Sequence, residues 1–276
     1  AIIEPHQFEV KRRMATTEIN NSAPGFAKHP GYRLKVLPCD KRVRVTFGGE
    51  TIIDSKAAKL LLESSYVPVY YFPKQDFRSE FGEKTAHDTY CPFKGNASYW
   101  TLKAGGKTGE NLVWGYESPY DEASTLAGHV ALYWQPMDGW FEEDEEIFCH
   151  ARDPHVRLDI LNSSRPVRVE VGGSVIAEST RARFLFETGL APRHYIPRED
   201  VRMDLLTKSE TRTQCPYKGN AQYFSLSGIN PSIADIAWSY AEPLPEASPI
   251  AGHICFHKRH VDAIYVDGVR QEKPSD

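Results

Sequence analysis

The 276-residue chain lacks any stretch near the roughly 18 apolar residues that a membrane-spanning helix needs, so no membrane partner is expected. It also lacks a basic excess. A formal net charge of -4 argues against a nucleic-acid partner held by phosphate neutralisation. There is no phosphate loop of Walker or Rossmann type, no H-E-x-x-H, no G-x-S-x-G and no twin-carboxylate pattern of the glycosidase kind. No cofactor and no metal are expected on these grounds. Cysteine is scarce: Cys39, Cys91, Cys149, Cys215 and Cys255 form no Cys-x-x-Cys pair. Ala1-Ile2-Ile3-Glu4-Pro5-His6 carries no signal-peptide pattern, and an odd cysteine count then points to reduced thiols in a cytoplasmic setting. The sequons at Asn20, Asn96 and Asn162 mean nothing without export.

What is present is ordinary in amount and unusual in arrangement. Apolar residues make up 41% and charged residues 25%, and the length suffices for two domains with real cores. One hexapeptide occurs twice, as Cys91-Pro92-Phe93-Lys94-Gly95-Asn96 and Cys215-Pro216-Tyr217-Lys218-Gly219-Asn220. Its proline, glycine, lysine and carboxamide describe a shaped loop presenting polar groups. Cys215 minus Cys91 is 124, and so are Gly172 minus Gly48, Trp238 minus Trp114 and His253 minus His129. The chain therefore reads as a tandem duplication, with an arm over 1–27, a first domain over 28–151 and a second over 152–276. The arm is expected to be poorly ordered, and the short linker at His150–Pro154 predicts that the domains pack on each other.

Inside each copy, short alternating runs are broken by turns. Arg42–Phe47 and Val167–Val171 alternate with period two, which predicts half-buried antiparallel strands. Gly48-Gly49 and Gly172-Gly173 read as hairpin turns. Asp54-Ser55 caps a run of helix formers, Lys56–Glu63, whose counterpart is Ser179–Glu187, so one short helix per copy is expected. The fold class is mainly β: two tandem antiparallel β-sheet or partial-barrel domains, each with one short helix.

The spacing Gly-Gly, Tyr-[FI]-Pro-x-x-Asp-[FV]-Arg, Cys-Pro-[FY]-Lys-Gly-Asn, Trp-x-Tyr and Ala-Gly-His resembles the family called domain of unknown function 427, over nearly all of both copies. That family carries a nucleotidyltransferase-like label, a name without a mechanism. The resemblance implies a fold of the Mss4-like or β-tent type, whose members often hold small ligands in an aromatic-lined pocket. Zinc-binding members of that group use paired Cys-x-x-Cys ligands, which this chain does not have, so no structural zinc is carried over.

Several residue types then compete between chemistry and architecture. Lys94 and Lys218 suit anion pairing, a desolvated base or a Schiff base, or else a stem laid over an aromatic ring with its ammonium in water. Cys91 and Cys215 are nucleophiles or small buried groups. Asp76 with Arg78, and Asp200 with Arg202, are two apart and share a face if the chain is extended; they read as a general base beside a guanidinium clamp or as structural pairs. His129 and His253 are proton shuttles or satisfied strand-entrance histidines. His253, Cys255 and His257 alternate as metal ligands would, but Tyr133 stands where His257 does in the first copy. Trp114 with Tyr116, and Trp238 with Tyr240, put two rings on one side of a strand, enough for a pocket wall near Tyr71 and Tyr195. Asn96 and Asn220 complete the candidate ligand-binding set. Glu63 and Glu187 would oppose the macrodipole at the end of the expected helix, which marks a site or else a solvated helix end, and Glu142–Glu146 reads as a solvated edge that blocks strand pairing.

The expectation is an enzyme acting on a small polar or anionic metabolite by acid–base chemistry of the lyase, isomerase or hydrolase type, in one pocket per domain. Lys218 and Arg202, with Lys94 and Arg78, would neutralise the substrate, while Tyr195, Asp200 and His253 would move protons. A non-catalytic small-ligand module and a scaffold for a protein partner are the alternatives, with homo-oligomerisation left open.

Overall fold

A computed structural model describes residues 21–228 and 232–273. Residues 1–20 of the expected arm, with the Asn20 sequon, lie outside the described residues. The rest of the arm departs from expectation. Pro24–Lys28 forms a short helix, α1, with proline in its first turn. The Gly25 N–H donates to Pro92 O at 2.9 Å, and Phe26 meets Phe93 edge-on at 5.1 Å. A Cβ on Gly25 would sit 2.7 Å from the Phe93 ring, so this approach requires glycine.

Among the described residues eleven strands follow in each half. The first half holds β1 (Leu34–Pro38), β2 (Val43–Phe47), β3 (Glu50–Ser55), β4 (Lys59–Glu63), β5 (Val69–Pro73) and β6 (Gly82–Cys91). It continues with β7 (Gly95–Ala104), β8 (Lys107–Tyr116), β9 (His129–Leu132), β10 (Gly139–Glu142) and β11 (Glu145–Ile147). The second half holds β12 (Leu158–Asn162), β13 (Val167–Val171), β14 (Ser174–Ser179), β15 (Arg183–Glu187), β16 (Arg193–Ile196) and β17 (Leu206–Cys215). Its last five are β18 (Gly219–Leu226), β19 (Ile233–Ser239), β20 (Ile254–Phe256), β21 (Ala263–Val266) and β22 (Val269–Arg270).

Each half is a seven-stranded sheet with a four-stranded sheet on one of its faces, and among the described residues no barrel closes. The strand orders are β1-β4-β5-β9-β8-β7-β6 and β12-β15-β16-β20-β19-β18-β17 for the large sheets. The small sheets run β11-β10-β2-β3 and β14-β13-β21-β22. The chain is thus mainly β and antiparallel, in two equivalent halves.

One expectation fails locally. Lys59–Glu63 and Arg183–Glu187 are strands, not the ends of helices. β4 pairs with β1 through Leu37↔Leu60 and Val36↔Leu61, and with β5 through Leu60↔Tyr70. Alternate residues of these inner strands then serve two cores. Leu60, Tyr70, Trp100 and Val113 face the small sheet, while Leu61, Tyr71, Tyr99 and Trp114 face the other way. A strand buried on both faces needs a continuous apolar run, and Leu60-Leu61-Leu62 supplies one that also suits a helix. Pairing on both edges decides between them.

The acidic run differs as well. Glu142 is buried, taking a 2.5 Å hydrogen bond from the Tyr70 hydroxyl and an ion pair from Lys41. Only the hairpin turn at Glu143 and the exposed β11 carboxylates match the solvated edge. The linker touches both halves: Ala151 is buried in the first core, and the Asp153 N–H donates to the Tyr217 hydroxyl at 2.7 Å. Among the described residues no helix is long and apolar enough to cross a membrane, and all five thiols are free.

Candidate functional site

The outward face of the first large sheet opens into a recess of about 500 Å³. Its floor is Leu61 and Glu63 of β4, Val69 and Tyr71 of β5, Tyr99 of β7, and Trp114 and Tyr116 of β8. Its rim is the hexapeptide loop from Cys91 to Lys94, with Tyr32, Tyr66 and Tyr133. The size and the apolar lining around a few polar groups suit a small molecule.

The loop is shaped as its composition requires. It joins β6 to β7 as a tight turn, with the Lys94 N–H donating to Cys91 O at 3.3 Å. Gly95 and Gly219 sit at φ 102° and 98°, where an L side chain is strained. This bend turns the lysine back under the sheet. Lys94 Nζ lies 2.5 and 2.6 Å from the two carboxylate oxygens of Glu63, and the side chains are only 9% and 8% exposed. The second domain repeats the pair, with Lys218 Nζ donating to Glu187 Oε2 at 2.5 Å and exposures of 10% and 9%. The carboxylates read as solvated helix ends are therefore strand ends buried against the loop lysine. Sequence offered one missed signal: both pairs are 31 residues apart, as Lys94 minus Glu63 and Lys218 minus Glu187 show.

The aromatic floor is equally repeated. The Trp114 indole N–H donates to the Tyr71 hydroxyl at 3.2 Å, and Trp238 donates to Tyr195 at the same distance. Both ring pairs are edge-to-face at 6.4 Å, with interplanar angles of 85° and 89°. Burial holds the Tyr71, Tyr116, Tyr195 and Tyr240 phenols far above the ordinary tyrosine range, so they stay protonated and can donate but not act as bases. Tyr32 stacks on Phe93 at 3.7 Å and donates to Glu63 Oε1 at 2.7 Å. Val156 stands at its place in the second domain and has no hydroxyl.

The structure therefore brings Lys94, Tyr71, Trp114 and Tyr116 together, and Cys91 with them. In the second domain Tyr195, Trp238 and Tyr240 share one cluster with Cys215, beside the Lys218–Glu187 pair. Other candidates sit elsewhere. Asn96 and Asn220 are the second residues of β7 and β18 and are exposed, because period two sends the residue after the glycine away from the recess.

Asp76 ends a 3₁₀ turn at Lys74–Asp76, so the extended spacing expected for Asp76 and Arg78 does not hold. Asp76 accepts from Ser55 Oγ at 2.6 Å, and Asp200 accepts likewise from Ser179, which ties the β3–β4 and β14–β15 turns to the segments after Pro73 and Pro197. Asp200 also takes two bonds from Arg181, which hold its carboxyl below the usual range. Arg78 pairs with Glu80, and Arg202 with Asp204, on exposed surface. His129 and His253 donate from Nδ1 to Ala127 O at 2.8 Å and to Ala251 O at 3.0 Å, at strand entrances. His253 lines a separate surface groove with Arg181, Arg183 and Glu199. Cys255 is fully buried, its thiol pushed up to about 12 by that burial.

Two equivalent β halves, each with a buried lysine–carboxylate pair against an aromatic floor, define a class of tandem β-domain protein. The chain belongs to the family described as Domain of unknown function (DUF427), NTP_transf_9, whose model matches residues 35–143 and 159–267. The two matches start 124 residues apart, 159 minus 35, the same offset as the hexapeptides. No curated protein matches the chain.

Proposed function

We propose that each domain is a small-molecule site and that the protein is an enzyme using acid–base chemistry on a small polar metabolite. The observation that carries this is the buried Lys94–Glu63 pair at the rim of an aromatic recess, repeated as Lys218–Glu187. A buried ion pair adds little to stability compared with apolar residues of similar volume. Its presence in both copies therefore fits a chemical task better than a structural one. Glu63 is the proton acceptor. Two of the three Lys94 donors serve that carboxylate, and the ammonium stabilises negative charge developing on a substrate oxygen. Tyr71, kept protonated by burial, is a fixed donor.

This site is narrower than the one expected from sequence. The first recess holds one cation against one carboxylate, and Arg78 is not among its lining residues, so a ligand there is polar rather than anionic. The free thiols support a reducing, cytoplasmic setting. A binding module without turnover is the second reading. It is favoured by the mutual satisfaction of the pair, which leaves the aromatic walls as the main contact surface.

The test is a metabolite-mixture assay on the full chain and on the double variant Glu63→Gln/Glu187→Gln. Loss of product formation by about a hundredfold or more, with ligand affinity retained, is expected for a general base. Unchanged turnover in the double variant would end the catalytic reading. Binding without any product from the parent chain would leave the module.

A further inference from the structure

Two phenol donors on the floor of the first recess have nothing to bond. Tyr116 is 6% exposed, and among the described residues its hydroxyl makes no hydrogen bond. Tyr71 is 1% exposed; its oxygen accepts from the Trp114 indole at 3.2 Å, while its own O–H meets no acceptor among the described residues. Burial first, and after it neighbours that include Glu63, keep both phenols protonated. Buried donors are nearly always satisfied, and one that is not lacks a partner that a ligand can supply.

The carboxylate in the same recess has one open position. Glu63 Oε1 accepts from Tyr32 at 2.7 Å and from Lys94 at 2.5 Å, which uses both its lone pairs. Oε2 accepts from Lys94 alone, at 2.6 Å. The mouth above is apolar: Tyr66, Val67 and Tyr133 are 70%, 53% and 45% exposed, and all three line it. Tyr133 tilts against Trp114 at 4.6 Å and so carries the aromatic floor out to the rim. Single exposed apolar side chains are ordinary, but three around one opening make a surface for an apolar body. What fits is a molecule with an apolar ring, one acceptor oxygen and one acidic proton.

We propose that the first recess holds an uncharged cyclic carbonyl compound, its oxygen on the hydroxyls of Tyr71 and Tyr116, and that Glu63 removes a proton from the adjacent carbon. This rests on the reading of the recess as an acid–base site and names the substrate class. Glu63 Oε2 takes the proton, the C–H electron pair becomes a carbon–carbon double bond, and the carbonyl π pair moves onto oxygen. The enolate so formed meets two O–H donors already in place, which is where preorganised donors act most strongly. Return of the proton from Glu63 to the same or a conjugated carbon completes an isomerisation with no co-reactant.

The experiment reads the first recess alone, in a full chain carrying Glu187→Gln. Binding is followed on the Trp114 indole signal, assigned by Trp114→Phe, with β-naphthol as the enol analogue and naphthalene as the same shape without the oxygen. β-Naphthol should bind at least about tenfold more tightly than naphthalene. Tyr116→Phe, whose lost hydroxyl bonds nothing in the free protein, should erase most of that margin and leave naphthalene binding unchanged, which also reports an intact fold. With β-tetralone in deuterium oxide, exchange of the protons beside the carbonyl should exceed the buffer rate. That enhancement should fall about a hundredfold in Tyr116→Phe and in Glu63→Gln. Equal binding of the two probes, no effect of Tyr116→Phe, or exchange at the buffer rate overturns the proposal, while naphthalene binding keeps the recess as a ligand site. If neither probe moves Trp114, the ligand-site reading falls with it.

Discussion

The two domains share every strand of their large sheets and differ in what is wedged behind and before them. Behind the first sheet, Tyr70 donates to buried Glu142, Lys41 pairs with that carboxylate, and Trp134 stacks on Trp140 at 4.3 Å. Behind the second, the matched residues are His194, Val266, Arg165, Lys258 and Ile264, and the hydrogen-bonded network is gone. In front, Tyr32 supports Glu63, whereas Val156 offers Glu187 nothing. The lysine–carboxylate contact at 2.5 Å and the Trp–Tyr bond nevertheless recur, the latter with matching distance and angle, although Lys94 bonds both oxygens of its carboxylate and Lys218 bonds one. Duplication has kept the pair and its aromatic floor and let their surroundings diverge. The constraint therefore sits on the pair.

Breaking that pair is the largest test of the comparison. Lys94→Met or Lys218→Met strands a buried carboxylate, which should cost about 3–5 kcal/mol in each domain. The first domain should lose less, because Tyr32 still donates to Glu63. Replacing both partners, as in Lys218→Met/Glu187→Leu, should recover most of the loss. Hydrogen exchange resolved by domain measures this, and equal losses in the two domains would deny Tyr32 its role.

Acid should separate the domains next. Burial, with Lys258 and Arg165 nearby, lowers His194 from 6.5 to about 4, while Tyr70 occupies its place in the first domain. The unfolded chain then takes up a proton that the fold refuses between those two values. Stability is full above pH 6.5 and falls as pH drops toward 4, by on the order of 3 kcal/mol. The second domain should unfold first in calorimetry between pH 6.5 and 4, and His194→Phe combined with His257→Tyr, which removes the other histidine that burial holds near 4 in this domain, should remove that order. An acid-labile first domain would contradict the assignment.

The smallest effect sharpens the boundary of the site. Arg78→Ala and Arg202→Ala remove exposed pairs with Glu80 and Asp204, and each should leave the unfolding midpoint of its domain essentially unchanged. Turnover or probe binding should be unchanged in both. A strong loss of either would pull these arginines back into the site.

How far these features were legible varies by residue. Val43–Phe47 and Val167–Val171 bury alternate residues just as their period two predicts. Lys56–Glu63 misled, because a strand sandwiched between two neighbours and two cores uses the same leucines as a helix. Asp76 and Arg78 misled for the opposite reason: an extended spacing was applied to a chain that turns. Glu63 was visible as a repeated carboxylate, yet its partner is 31 residues away across the sheet, and no local rule connects them.

Local chemistry was enough to establish the duplication, the β class and a loop built on proline and glycine, since each depends on residues adjacent in the chain or on a constant offset. The direction in which that loop sends its lysine, the carboxylate it meets and the rings around them were settled only by strand order. Antiparallel pairing gathers β4, β5, β7 and β8 on one face, and no periodicity encodes which strands become neighbours.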